Sequence, residues 1–245
     1  MPVLTSFIGF NPDAIAPESK SELSFAEVDE AVLALLERSL LVPVPLRKPI
    51  FRPADADLIC PYAGSASLKL WALARALYGI PTTQMIDWLR DKIGGRKAIE
   101  VGAGNGVYGR NLGIPMYDNF MQERPEIALI YALQRQPTIS YGADVQRMDA
   151  LDAVKQHRPE VVLGVWVTQK YDKGNGGVDA IDERAILAVP STQTYMVVGN
   201  LNVHGGKEIR TNVPKGWTLT EYDLPFNLSR ANEPEKNRVF VWDRQ

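Results

Sequence analysis

Lys97-Ala98-Ile99-Glu100-Val101-Gly102-Ala103-Gly104-Asn105-Gly106 is a short β-branched run with an acid two residues ahead of three alternating glycines. The run predicts a buried strand. The glycines predict a turn whose backbone passes close to a ligand, because glycine accepts positive φ and carries no Cβ to bar approach. The expected use is a nucleotide-type cradle. The same letters can be tested as the dinucleotide fingerprint G-x-G-x-x-G. Counted from Gly102, the third glycine falls on Val107, and that register fails. Counted from Gly104, the stretch ending at Gly109 fits formally, but the turn then starts two residues late. Asp118 also comes too soon for the ribose acid expected about 20 residues on. A buried carboxylate at Glu100 would repel a pyrophosphate and attract a cationic ligand.

From Arg96 onward strand and helix patterns alternate. Strands are expected at Ala98–Val101, Pro115–Asp118, Asp144–Met148, Val161–Val167 and Thr194–Val198, with helices near Val107–Leu112, Pro125–Leu133, Leu151–His157 and Asp179–Ala188. Two late strands, Trp217–Tyr222 and Arg238–Trp242, close the chain as an antiparallel hairpin. The fold class is therefore α/β, a seven-stranded mostly parallel sheet with helices on both faces and a C-terminal antiparallel hairpin. Residues 96–245 form this domain. Ahead of it, 63–95 is a helical lead-in with helices from about Ser67 to Tyr78, ending at Gly79, and from about Thr82 to Ile93, ending at Gly94-Gly95. Residues 1–62 are a proline-rich arm, with prolines at 12, 17, 43, 45, 49, 53 and 61. Its single amphipathic helix runs from Phe25 to about Leu41 behind the capping box Ser24-Phe25-Ala26-Glu27. Such an N-terminal extension makes no core alone and should wrap the domain, form a lid or pack on a second subunit, so a homo-oligomer is one expectation.

With 45% hydrophobic content over 245 residues the chain can bury a sizeable core. A formal net charge of -2 gives no global basic field, so nucleic acid is not the favoured partner. One cysteine, Cys60, excludes an internal disulfide framework, and together with His157 and His204 it builds no metal site by itself. No apolar run approaches the ~18 residues of a membrane span, and the start of the chain lacks a basic and then apolar leader. A cytoplasmic protein with no membrane partner is expected.

Glu100, Gly102, Gly104 and Gly106 together resemble the first motif, [D/E]-x-G-x-G-x-G, of class I S-adenosylmethionine (SAM)-dependent methyltransferases. The resemblance covers about residues 96–245 at fold level. It implies SAM as cofactor over Gly102, Ala103, Gly104 and Gly106, with Glu100 facing the ligand's positive charge. It implies further that Asp118, ending the second strand, accepts from the ribose hydroxyls, a task suited to two acceptor oxygens and no donor. Asn119 is the neighbouring alternative, since only 11 residues separate Gly106 from Asp118, a shorter spacing than the family's. Asp149-Ala150, ending the third strand, resembles the family's adenine site, and Asp149 doubles as a helix N-cap. The fourth strand runs into Trp166 and then Thr168-Gln169-Lys170-Tyr171-Asp172, which departs from the N-P-P-Y and D-P-P-Y motifs of methyltransferases acting on amide or base nitrogens. The resemblance implies that Trp166 borders the methionine or the acceptor, although an aromatic at a strand end is more often simple packing. His204 is a candidate general base for a protonated nucleophile, Tyr171 a weaker catalytic candidate, and Asp172 and Lys207 are solvated-loop residues by default. The acceptor itself, small molecule or macromolecule, is not legible. The rival expectation is a noncatalytic module of the same fold that binds a partner or senses the cofactor.

Overall fold

The computed structural model describes residues 27–44, 50–133, 135–167 and 181–245. In chain order the elements are α1 (Glu30–Leu40), β1 (Leu41–Val42), β2 (Ile50–Phe51), α2 (Ala56–Ile59), α3 (Ala66–Ala74), β3 (Gly79–Ile80), α4 (Thr83–Ile93), β4 (Ala98–Val101), α5 (Val107–Leu112) and β5 (Met116–Asp118). They continue with α6 (Pro125–Leu133), β6 (Gln146–Arg147), α7 (Ala150–His157), β7 (Val161–Val165), α8 (Glu183–Ala188), β8 (Thr194–Asn200), α9 (Leu201–His204), α10 (Glu208–Thr211), β9 (Trp217–Tyr222), β10 (Leu228–Ser229) and β11 (Asn237–Arg244).

Seven strands form one sheet in the order β6-β5-β4-β7-β8-β11-β9. Neighbours from β6 to β8 are parallel, while β11 runs antiparallel to both β8 and β9. This is the α/β sheet with a closing antiparallel pair that the sequence implies. The strands alternate as the pleat requires. Ile99, Val101, Val162, Tyr195, Val197 and Phe240 face a core covered by α7, α8 and α10. Ala98, Val161, Leu163, Met196, Val198 and Val239 face a second core, where α4 contributes Met85, Ile86 and Leu89. Order reverses between β4 and β7, so their carboxyl ends flank the switch point where open α/β sheets take ligands.

The N-terminal elements build a third core from Val32, Leu36 and Leu40 of α1, Leu68 and Trp71 of α3, and Ile80 of β3, with Leu228 from β10. The arm thus gains a core by sharing one with α3, whereas α4 serves the sheet. Helix α1 starts at Glu30 rather than Phe25, because Asp29 is its cap and accepts from Ala31 N at 2.8 Å. Ser24, Phe25 and Ala26 of the expected capping box lie outside the described residues. Helix α3 ends at Ala74, short of Tyr78. Leu77 N donates to Ala72 O and Ala76 N to Leu73 O, a Schellman closure that places Ala76 at φ +49. Gly79 is freed to pair in β3 with Ser229, and Ile80 with Leu228.

Candidate functional site

Gly102, Gly104 and Gly106 all sit at positive φ, +62°, +55° and +74°. A Cβ at Gly102 would lie 2.7 Å from Val167 Cγ1, and one at Gly106 would lie 2.9 Å from both Met116 Sδ and Val145 Cγ2. Both the backbone conformation and the surroundings therefore demand glycine. The turn is preorganised by bonds to the rest of the chain. Ala103 N donates to Tyr117 O at 3.1 Å, Gly106 N to Ala103 O at 2.8 Å, and Gly104 N to Asp118 Oδ2 at 3.0 Å.

Asp118 stands at the carboxyl end of β5, buried, its other oxygen accepting from Phe120 N at 2.8 Å. Burial outweighs these amide donors and pushes its pKa up. The Asn119 backbone amide also bonds this carboxylate; an ionised carboxylate offers about four lone-pair sites, so about one remains for a ligand's hydroxyl. Asn119 follows at the edge, its side-chain Oδ1 accepting from Met121 N at 3.0 Å. Asp149 is exposed and caps α7 through Leu151 N at 2.9 Å, while Ala150 is buried behind it.

Glu100 lies beneath the turn. Its Oε2 accepts from Gly109 N of α5 at 2.8 Å, and burial raises its pKa to about 8. Its carboxyl therefore braces the helix that follows the turn.

Beyond β7, Trp166 takes φ +56°. A bulky residue in that region stores strain, which structures tolerate mainly at working sites. Phe120, at φ +58° beyond Asp118, does the same on the other side of the turn and stacks on Tyr141 at 4.1 Å. Trp166 stacks on Tyr78 at 6.0 Å and meets the edge of His204 at 5.3 Å, and among the described residues its buried Nε1 has no hydrogen-bond partner. Val167 and Ile139 stand against Gly102 and Gly104.

His204 is 1% exposed, on α9, with Nδ1 accepting from Asn200 N at 2.9 Å. Desolvation takes its pKa down to about 3, so the ring is neutral and binds a further proton poorly. Lys207, expected to be solvated, is instead buried. Its Nζ donates to Glu183 Oε1 at 2.7 Å and to Val167 O at 3.0 Å, and Tyr195 Oη donates to the same carboxylate oxygen at 2.8 Å. This buried pair fixes the chain just past Trp166. Tyr171, Asp172 and the rest of 168–180 lie outside the described residues. The sequence carries no sign of Tyr78, which stacks on Trp166, or of the two groups that meet Tyr78, Arg230 over its ring and Tyr131 of α6 at its hydroxyl. Among the described residues no group of three or more His, Cys, Asp or Glu could hold a metal ion, and no helix is long and apolar enough to cross a membrane.

No protein-family model and no curated protein matches this chain. Among solved structures it is similar to the 23S rRNA methyltransferase ErmE, at 15% identity over 66% of this chain and 68% of that one, with a TM-score of 0.34. A precorrin 8W decarboxylase from Methanobacterium thermoautotrophicum is similar at 15% identity over 67% and 91%, TM-score 0.35. A SAM-dependent methyltransferase from Agrobacterium tumefaciens is similar at 11% identity over 66% and 61%, TM-score 0.34.

Proposed function

We propose that this chain is a SAM-dependent methyltransferase. The supporting observation is the glycine turn at the switch point, three alternate glycines at positive φ with the Asp118 carboxylate held at 3.0 Å from Gly104 N. The residues present fit the cofactor: Gly102, Ala103 and Gly104 offer close backbone approach, Asp118 keeps acceptor capacity for a ribose hydroxyl beyond its three backbone amide donors, and Asp149 is accessible beyond β6. SAM, when bound, supplies an electrophilic methyl group on a sulfonium.

The chain's own work is then alignment and exclusion of water. Holding two reactants in near-attack geometry replaces much of the entropy cost of a bimolecular encounter. Val167, Ile139 and Trp166 supply the apolar wall, and the Lys207–Glu183 pair anchors the Val167 carbonyl behind it. His204 orients the Asn200 turn beside Trp166, and its neutrality makes it a poor proton acceptor. A nucleophile that arrives already deprotonated suits such a site.

Calorimetric titration with SAM, S-adenosylhomocysteine and NAD tests the proposal. SAM and its product should bind and NAD should not, and Asp118→Ala should weaken SAM at least ten-fold. Absence of SAM binding to folded protein would remove the cofactor assignment. Binding with no turnover on any acceptor would favour the noncatalytic module.

A further inference from the structure

Arg230 lies just past β10. Its backbone N donates to Tyr78 O at 3.0 Å, which carries its guanidinium over the Tyr78 ring, Cζ 3.9 Å from the centroid. It is half-buried, and its one side-chain hydrogen bond among the described residues is a long one, 3.4 Å, to Gln136 Oε1. Among the described residues no carboxylate pairs with it. Of the other half-buried arginines, Arg75, Arg110, Arg210 and Arg238 are matched by Glu37, Asp144, Glu221 and Asp223, and Arg96 and Arg244 each donate three hydrogen bonds to oxygens of the chain, so Arg230 is set apart by having neither. A guanidinium withdrawn from water without a counter-charge is poised for an anion.

Its surroundings are apolar. Tyr78 stacks on Trp166, and the Tyr78 and Tyr131 hydroxyls are 3.3 Å apart. Tyr131 belongs to α6, Pro-Glu-Ile-Ala-Leu-Ile-Tyr-Ala-Leu, which buries none of its residues and leaves Leu129 51% and Leu133 76% exposed. Trp166 adds a buried N–H with no acceptor among the described residues. The cluster adjoins the glycine turn, since Val167, next to Trp166, packs on Gly102.

We propose that the methyl acceptor is an amphipathic carboxylate, its single anionic group held by Arg230 and its apolar body laid against Tyr78, Trp166 and α6. Calling it the acceptor rests on the methyltransferase proposal above. The charge count selects the carboxylate: one guanidinium neutralises one charge, whereas a phosphate monoester brings nearly two and would leave the second uncompensated in a half-buried site. A planar carboxylate also matches the guanidinium fork bidentately.

Tryptophan fluorescence and thermal shift on the full chain test this with phenylacetate, octanoate and their amides, and phenyl phosphate as a third arm. The carboxylates should bind at least ten-fold more tightly than their amides, phenyl phosphate more weakly than phenylacetate, and Arg230→Gln should abolish the difference between acid and amide. Arg230→Lys should keep part of it, and the acid-to-amide comparison on the unaltered chain holds even where Arg230→Gln fails to fold. Equal binding of acid and amide, binding of neither, or preference for phenyl phosphate would overturn the proposal. S-adenosylhomocysteine binding is measured on the same samples. If it binds while the carboxylates do not, only the acceptor class fails, and the reverse pattern sinks the cofactor assignment and the name of acceptor with it, leaving a carboxylate site.

Discussion

At Gly102 a single methyl group is decisive. Gly102→Ala forces a Cβ to 2.7 Å from Val167 at φ +62°, so it should cost about 1–3 kcal/mol and weaken SAM at least ten-fold, read by urea unfolding and calorimetry. Gly113→Ala is the control. It carries similar strain at φ +71° with nothing within 4 Å, so stability should fall while SAM affinity holds. Glu100 has a testable pH signature. With its folded pKa raised to about 8, the folded chain keeps a proton that the unfolded chain releases near 4.5. Stability therefore falls as pH rises from about 4.5 to 8, by as much as ~1.4 kcal/mol per pH unit, and Glu100→Gln should flatten that slope in melts across pH 5–9. Lys207→Met would strand the Glu183 carboxylate in the core at about 3–5 kcal/mol, and Lys207→Met with Glu183→Leu should recover much of that loss in the same melts. The glycines are legible in the sequence because their constraint is local. The burial of Lys207 and His204 is not, because it depends on Glu183, Val167 and Trp166 arriving from other elements.

At the scale of elements, caps and alternation were readable and long-range pairings were not. Helix α4 begins behind Thr82, whose Oγ1 accepts from Met85 N and donates to Phe226 O, and it ends on Gly94 at φ +61°, as its sequence implies. Strands β4 and β9 match their expected bounds, since β-branched and alternating runs carry their own signal. The two-residue strands β3 and β10 carry none. Gly79-Ile80 and Leu228-Ser229 pair only because the fold delivers them to each other, and with them come Tyr78 and Arg230. Helix α7 offers an element-level prediction. Arg158, exposed at its C-cap with φ +48°, occupies a conformation suited to glycine, so Arg158→Gly should stabilise by about 0.5–1 kcal/mol in denaturant unfolding.

Over the whole molecule the sheet ties the glycine turn, Trp166 and the N-terminal core into one frame, so ligand binding at the switch point should stabilise the entire chain. SAM at a hundred-fold excess over its Kd should add ~2.7 kcal/mol, seen as a rise of a few degrees in Tm. The position of β11 bears on how that frame is assembled. It lies between β8 and β9, both of which precede it in the chain. Until Asn237–Arg244 slots in, β8 and β9 each present an open row of peptide donors and acceptors along the side they later share with it. The nascent protein thus passes through an interval of vulnerability to intermolecular strand pairing, and the rate at which this latecomer docks governs how much of it escapes clumping.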